Sequence, residues 1–489
     1  MDQSQQLTQL LRKKQEILQG NAERIAAQRA SGKLTARERI SRLTDEGSFV
    51  EMDALVACGE DYAGVVTGHA TVEGRPVYVF AQDFTVHGGA MGQQQADKIC
   101  KLLELAGKTG APVIALCDSA GVRVDEGARA MNAYARIYER MARLSGVCPI
   151  IALVLGPVVG GAALIAQLAD VSIEAADVGE LMVYGPQVIS AITGEEGDAK
   201  KFGGAAGMAE QGGVALTVAN EEEAFALTAE VLGYLPGCNA EDAPLTDEDD
   251  MNRLLEVTDP ADSQALLTEL SDCGRYVELY PRWGRELRVA FARMGGRSVG
   301  LVVSNAQENE GQLTPAGSAK AARFIRLCDC YSLPVVSLIN STGVAVPKAG
   351  AQAWTMITSA QLLYAYAEAT TAKVSVVTGN AIGQSYVAMA GKANADMAYA
   401  WPGAVISALA PNAAVQLLYT ERLRAGEDRA ALEAEFAEQA ADGLAAARDG
   451  MIDDVIDPAQ TRKYVIAALE LLASKRDSNP PKKHGNMPL

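Results

Sequence analysis

The residues with the clearest chemical potential are glycines that follow apolar strands. In "LGPVVGGAALIAQLAD" (155–170), a predicted helix begins directly after a predicted strand, at Gly160, Gly161 and Ala162. Such a helix presents unpaired N–H groups at the positive end of its dipole, and glycine lets a ligand oxygen approach closely. Together with Gly121 and Val122 at the end of another strand, these residues could stabilise an oxyanion. The alternative is that the glycines only allow tight packing of helix on strand.

The chain carries this pattern twice. "APVIALCDSAGVRV" (111–124) matches "LPVVSLINSTGVAV" (333–346) without a gap, at an offset of 222 residues. The same offset pairs Lys98 with Lys320 and Gly161 with Gly383. A single offset over such a length predicts an internal duplication. The second copy contributes its own candidate residues: Gly343, Val344, Gly383 and Gln384.

Strands and helices alternate within each copy, and the strands are apolar throughout, which is typical of a sheet covered on both faces. The sequence therefore predicts an α/β fold with two related domains, 1–245 and 246–489, divided in an acidic, turn-rich stretch. Residues 1–45 are predicted to form a helical arm. The uncharged run 147–169 is long enough to cross a membrane, but its glycines and prolines divide it into a strand and a helix.

Composition excludes several classes of protein. The net charge of −18 argues against a nucleic-acid partner, although a local pocket could still bind an anion. The 3 histidines are too few for a histidine-rich metal site, and no GxxxxGK[ST] phosphate loop occurs. The GxSxG match at Ser298 is predicted to enter a strand, which does not fit a nucleophile elbow. The 8 cysteines lack paired spacing and no signal peptide is read, so we expect buried free thiols in a cytoplasmic protein.

Three charged residues lie beside the first glycine site in "DSAGVRVDEG": Asp118, Arg123 and Glu126. They could form a structural ion pair, or they could position a substrate. The sequence leaves both explanations open.

Nine segments in chain order resemble the carboxyltransferase subunits of biotin-dependent acyl-CoA carboxylases and decarboxylases, including propionyl-CoA carboxylase beta chains and methylmalonyl-CoA decarboxylase alpha chains. They are "GKLTARERISRL", "FAQDFTVHGGAMG", "DSAGVRVDEG", "GPVVGGA", "FARMGGRSVG", "KAARFIRLCD", "LLYAYAEAT", "YAWP" and "LASKRDSNPPKKHGNMPL". Each segment alone is weakly diagnostic, but together they extend over nearly the whole chain.

The resemblance implies two tandem crotonase-like domains, each a spiral of β-β-α units, in a homohexamer. It implies that the carboxyl group moves between carboxybiotin and the α carbon of a short-chain acyl-CoA, through a thioester enolate. Biotin would arrive on a separate carrier protein, since no Met-Lys-Met acceptor occurs. A biotin carboxylase and a membrane decarboxylase subunit are further partners that the resemblance leaves open.

The resemblance also assigns roles to individual residues. The expected thioester oxyanion site is Gly121, Val122, Gly160, Gly161 and Ala162. The expected biotin site is Gly343, Val344, Gly383, Gln384 and Tyr386. The expected substrate-binding residues are Ala120, Gly121, Arg123, Gly161 and Leu164.

The second copy departs from the family's pattern more than the first. Asn340, Thr342 and Val344 stand where the family has Asp, Pro and Phe, and "IGQSY" (382–386) replaces Tyr-Gly-Gly-Ala-Tyr. Two other functions therefore stay open: a biotin-independent crotonase-like decarboxylase or hydrolase, and a non-catalytic scaffold subunit.

Overall fold

The chain divides into two compact units, Met1–Asp242 and Ala243–Leu489. The computed structural model describes residues 3–58, 61–246, 249–439 and 441–488. The units divide three residues before the domain boundary expected from the sequence.

The first unit contains ten strands and ten α-helices among the residues described. Its strands are β1 Val50–Met52, β2 Ala57–Cys58, β3 Asp61–Tyr62, β4 Val65–Val72, β5 Arg75–Gln82, β6 Val113–Ser119, β7 Ile150–Val159, β8 Val171–Ala175, β9 Glu180–Met182 and β10 Leu216–Val218. Its helices are α1 Gln3–Gln19, α2 Ala22–Ala30, α3 Ala36–Leu43, α4 Gln93–Thr109, α5 Ala128–Leu144, α6 Gly161–Leu168, α7 Pro186–Thr193, α8 Ala199–Gly203, α9 Ala205–Glu210 and α10 Glu221–Tyr234.

The second unit repeats this plan. Its strands are β11 Tyr276–Leu279, β12 Leu287–Met294, β13 Arg297–Ser304, β14 Val335–Ser341, β15 Lys373–Ile382, β16 Met397–Ala400, β17 Val405–Ser407, β18 Ala441–Asp442 and β19 Asp454–Val455. Its helices are α11 Ser263–Leu270, α12 Pro315–Cys330, α13 Gln352–Glu368, α14 Gln384–Met389, α15 Pro411–Leu418, α16 Thr420–Arg424, α17 Arg429–Gln439, α18 Gly443–Arg448 and α19 Thr461–Leu472.

Each unit has one main sheet with the same order of strands. The first runs β1-β4-β5-β6-β7-β8-β10, and the second runs β11-β12-β13-β14-β15-β16-β19. Strands β5 to β8 and β13 to β16 are parallel, and a short strand, β9 or β17, pairs with the far end of β7 or β15. The predicted α/β class is confirmed. Every residue of β6 and β14 is buried, because helices cover the parallel strands.

The residue offset between matching elements of the two copies varies along the chain. The single offset of 222 predicted from the sequence is therefore wrong for the later elements. Strands β6 and β14 correspond at 222 residues, but α5 and α13 correspond at 224 and β7 and β15 at 223. The connection before α13 is two residues longer than the one before α5, and the connection after it is one residue shorter. Gly383 therefore corresponds to Gly160, and Gln384 corresponds to Gly161.

Two lysines occupy the equivalent positions on α4 and α12 that the offset predicted, and both are buried. Lys98 donates to the Val65 carbonyl at 2.7 Å, and Lys320 donates to the Trp283 carbonyl at 2.7 Å. Burial lowers the pKa of each ammonium group to about 8. Each lysine therefore has a structural role, as a buried hydrogen-bond donor to the backbone of its own copy.

The remaining predictions from the sequence concern the N-terminal arm, Ser298, the cysteines and a possible membrane span. Helices α1 to α3 form the predicted N-terminal arm, and Ser298 lies inside β13, which confirms that it is not at a strand-to-helix elbow. Five cysteine thiols are buried, whereas Cys273 and Cys330 are exposed, so the expectation of burial is wrong for those two; the side chain of Cys58 lies outside the described part. None of the helices in the described ranges combines the length and apolar character needed to cross a bilayer.

Candidate active site

In the first unit, the ends of β6 and β7 bring the predicted glycines together. Ser119 at the end of β6 pairs with Val158 in β7, after an irregularity in the register. Gly121 has φ 110°, and a Cβ built there would lie 3.3 Å from the Val159 carbonyl oxygen. Only glycine adopts this conformation without strain, so the turn after β6 can lie directly against the backbone at the end of β7.

Some of the candidate backbone N–H groups at this site already donate to an acceptor within the protein, and two remain available to a ligand. The Gly121 N–H donates to Ser119 Oγ at 3.2 Å, and the Gly160 N–H donates to the Met182 carbonyl at 3.0 Å. In the described chain, the Val122 and Gly161 amides have no acceptor. These two N–H groups are therefore the ones available to a ligand oxygen.

Two tyrosines on α5, which the sequence reasoning missed, hold this backbone in place. The Tyr134 hydroxyl donates to the Gly121 carbonyl at 2.9 Å, and the side chain lies near Ala162. The Tyr138 hydroxyl donates to the Gly161 carbonyl at 2.7 Å. Burial raises the pKa of both phenols, that of Tyr138 to about 12, so both stay protonated donors at neutral pH. Their i, i+4 spacing, which places both on one face of a helix, was the available signal.

The second unit reproduces the same backbone. Gly343 has φ 107°, and its N–H donates to Ser341 Oγ at 3.3 Å. Gly383 has φ 54° and ψ −116°, close to the φ 64° and ψ −126° of Gly160, and its N–H donates to the Ser407 carbonyl at 2.8 Å. Within the described ranges, the amides of Val344 and Gln384 have no acceptor.

The side chains that support this second backbone differ. Thr358 and Leu362 correspond to Tyr134 and Tyr138, and the Thr358 hydroxyl donates to Trp354 within its own helix at 2.9 Å. The Ser385 hydroxyl instead contacts the carbonyls at the ends of both strands, 3.4 Å from Ser341 and 2.9 Å from Ile382.

Tyr386, the remaining residue predicted to bind biotin, is hydrogen-bonded within its own unit. The Tyr386 hydroxyl donates to the Met451 carbonyl at 2.9 Å, and the ring is half-buried. Its expected role in holding biotin stays a prediction.

The charged residues noted beside the first glycine site do not form one cluster; they are Asp118, Arg123 and Glu126. The Asp118 carboxylate is fully buried and accepts from Lys33 at 3.0 Å and from Arg39 at 2.8 Å. Arg123 instead pairs with Glu126 at 3.4 Å, and Glu126 accepts from the N–H of Gln93 at the start of α4. These contacts fit a structural ion pair for Arg123 and Glu126, with Asp118 in a separate network.

Two expected substrate-binding residues face outward. Ala120 is exposed, and its N–H donates to the Gly88 carbonyl at 2.9 Å. Leu164 on α6 is 44% exposed beside the Gly161 donor. Both positions are accessible to a ligand, and their roles stay predictions.

Comparison with known proteins agrees with this geometry. The carboxyl transferase domain family matches residues 27–487. The methylmalonyl-CoA decarboxylase subunit alpha of Veillonella parvula is 40% identical over 494 residues, which is 96% of each chain. The propionyl-CoA carboxylase beta chain of Saccharopolyspora erythraea is 38% identical over 99% of this chain and 96% of its own length.

A solved structure extends the match to three dimensions. The transcarboxylase 12S crystal structure, a hexamer assembly with methylmalonyl-coenzyme A and methylmalonic acid bound, matches with a TM-score of 0.94. The two chains are 33% identical, over 100% of this chain and 99% of the other. This match confirms the predicted pair of crotonase-like domains. The chain therefore belongs to the carboxyl transferase domain family.

Proposed function

We propose that the protein is the carboxyltransferase subunit of a biotin-dependent acyl-CoA carboxylase or decarboxylase. The observation that carries the proposal is that each copy has two backbone amides at equivalent strand ends with no acceptor among the described residues, Val122 with Gly161 and Val344 with Gln384. Two preformed donor pairs suit a reaction in which negative charge develops on two different oxygens.

The first copy supplies the donors for the acyl-CoA thioester. When the α carbon loses a carboxyl group or a proton, negative charge moves to the thioester oxygen. The Val122 and Gly161 N–H groups would stabilise that charge, and one such donor is typically worth about 10²–10³ in kcat. Their positions are set by backbone, so the site needs no ionised side chain.

A cavity beside this site has the chemistry to hold the anionic end of coenzyme A. It has a volume of about 480 Å³, and Gly88, which bonds to Ala120, is part of its wall. Arg24, Lys33 and His87 line it, and the Lys33 ammonium lies 3.9 Å above the Phe84 ring. Because Lys33 is paired with Asp118, the Arg24 guanidinium supplies the positive charge of this wall, on a protein whose net charge is −18.

The second copy fits biotin. When bound, biotin supplies or accepts the carboxyl group through its ureido nitrogen, and this places partial negative charge on the ureido oxygen. In the described chain the amides of Val344 and Gln384 have no acceptor, and the glycine before each has backbone angles close to those of its counterpart in the first copy, so these amides would hold that oxygen. The changes in "NSTGVAV" and "IGQSY" alter side chains and leave these two N–H groups in place.

The relatives guide the proposed substrate and assembly. The names methylmalonyl-CoA decarboxylase and propionyl-CoA carboxylase support a short-chain acyl-CoA, and the transcarboxylase 12S hexamer supports a homohexamer. Apolar side chains are exposed on the helices that begin at the donor residues, Leu164 on α6 and Val387 on α14, and they support contacts between subunits. Biotin would be presented by a separate carrier protein, and the buried thiols support a reducing, cytoplasmic compartment.

The test is decarboxylation of methylmalonyl-CoA by the purified protein, with free biotin added in increasing concentration. We expect turnover to propionyl-CoA that depends on biotin. Turnover that is indifferent to biotin would contradict the biotin half of the proposal and favour the biotin-independent alternative. Absence of coenzyme A thioester binding by calorimetry would contradict the acyl-CoA half and favour the scaffold alternative.

A further inference from the structure

We infer that Tyr134 is a positioning residue, whose hydroxyl fixes the spacing between the two thioester-side donors. The inference rests on the proposed function of the first copy. It concerns a side chain that would not touch the substrate, because its hydroxyl is already bonded to the Gly121 carbonyl.

Tyr134 contacts both chain segments that carry the donors. Its hydroxyl donates to the Gly121 carbonyl at 2.9 Å, in the peptide bond that also contains the Val122 N–H. The side chain also lies near Ala162, the residue that follows the Gly161 donor. One buried side chain therefore connects the turn after β6 to the first turn of α6.

The ring has a separate packing role. A Cβ on Gly161 would lie 2.8 Å from the Cδ2 and Cε2 atoms of Tyr134, so the ring is packed directly against the donor residue. Phenylalanine would keep this packing and remove only the hydroxyl. The Gly121 carbonyl also accepts from Met91 at 2.7 Å, so the turn keeps a bond that preserves the fold.

The contact of the Tyr134 hydroxyl with the Gly121 carbonyl, here called the clamp, has no counterpart among the described residues of the second copy. Thr358 occupies the equivalent place on α13, and its hydroxyl bonds within that helix and not to the turn after β14. The Gly343 carbonyl accepts from Leu313 at 2.8 Å, as Gly121 does from Met91, but no tyrosine among the described residues bonds to it. Tyr134 is therefore tied to the thioester site.

The test compares Tyr134→Phe with Tyr366→Phe in the biotin-dependent decarboxylation of methylmalonyl-CoA. Tyr366 is the matched control, because its hydroxyl is also buried and bonded, to Ser337 at 2.7 Å, away from both donor pairs. For Tyr134→Phe we expect kcat to fall about 10- to 100-fold, less than for outright loss of a donor, with KM for methylmalonyl-CoA within about twofold. For Tyr366→Phe we expect a similar loss of melting temperature and an unchanged kcat.

A second variant separates the hydrogen bonds from folding. Tyr134→4-aminophenylalanine keeps the ring and a hydrogen-bonding group at its para position, and we expect it to recover part of the lost kcat. An unchanged kcat in Tyr134→Phe, an equal fall in Tyr366→Phe, or no recovery in the amino variant would each overturn the inference. An inactive wild-type protein would instead overturn the proposed function on which it rests.

Discussion

Replacing Gly121 and, separately, Gly343 by alanine applies one perturbation to both copies of the duplicated fold. The two glycines have φ 110° and φ 107°, and a Cβ on either would lie 3.3 Å from a carbonyl oxygen, of Val159 or of Ile382. A residue held in such a sparsely populated region costs about 1–3 kcal/mol. We therefore expect both variants to lose a similar amount of stability, which corresponds to about 2–12 °C in melting temperature for units of this size.

The chemical consequence follows from the residue after each glycine. Strain at Gly121 is relieved by rotation of its backbone, and that rotation turns the peptide plane that carries the Val122 N–H. A donor displaced in this way loses much of its contribution, which is about 10²–10³ in kcat for outright removal. Rotation at Gly343 displaces the Val344 N–H by the same reasoning. The two variants should lose a similar amount of stability. Gly121→Ala should impair the step at the thioester, whereas Gly343→Ala should impair the step at biotin.

The assay is decarboxylation of methylmalonyl-CoA with substrate and free biotin varied independently. For Gly121→Ala we expect kcat to fall about 100-fold, with the half-saturating concentration of biotin unchanged. For Gly343→Ala we expect a higher half-saturating biotin concentration, a lower rate at saturation and unchanged calorimetric binding of the acyl-CoA. The reasoning is refuted if both variants melt lower and keep wild-type kinetics, or if both change the same kinetic parameter.

Three further predictions concern neighbouring groups. Gly161→Ala should lower both the melting temperature and kcat in the decarboxylation assay because its Cβ would lie 2.8 Å from Tyr134, and unchanged values of both would contradict the predicted clash. Ser385→Ala removes the hydroxyl that contacts both strand ends of the second copy, and should raise the half-saturating biotin concentration several-fold with acyl-CoA binding unchanged. Glu174 is buried with no hydrogen-bond partner for either oxygen in the described chain, and its pKa is raised to about 8. Because the folded protein then binds a proton that the unfolded chain loses near pH 4.5, wild-type stability should fall between about pH 4.5 and 8, by about 5 kcal/mol. Glu174→Gln should remove that slope in melting curves taken across this range, and an unchanged slope would contradict the assignment.

Much of the fold, and the placement of the candidate glycines at the ends of neighbouring strands, were predictable from the sequence. The apolar runs of β6 and β7 and their copies are continuous, so their burial in a parallel sheet follows from composition. The glycines were found because steric limits leave few other residues for a positive φ next to a neighbouring strand. These are local requirements, and a single sequence records them directly.

The features that were missed depend on contacts between distant segments. Asp118 meets Lys33 and Arg39 across 85 and 79 residues, and nothing in the local pattern indicates that pairing. The assignment of Gly383 to Gly161 was wrong because the connections around α13 differ in length from those around α5, which shifts the later strand by one residue. An ungapped comparison cannot detect two changes of opposite sign between matching segments. The clamp by Tyr134 was missed because it depends on where α5 packs.

The corrected alignment changes the meaning of the divergent second motif. If Gly383 corresponded to Gly161, a donor residue would be preserved and its neighbour lost; with Gly383 matched to Gly160, the substitution is Gly161 by Gln384. A side chain is excluded at Gly161 because Tyr134 fills that space, and it is tolerated at Gln384 because Thr358 and Leu362 replace the two tyrosines. Both positions contribute the same atom, an unpaired N–H at the start of a helix. The sequence of the second site has therefore changed together with the side chains that support it, and the backbone donors on which the proposed chemistry depends have not.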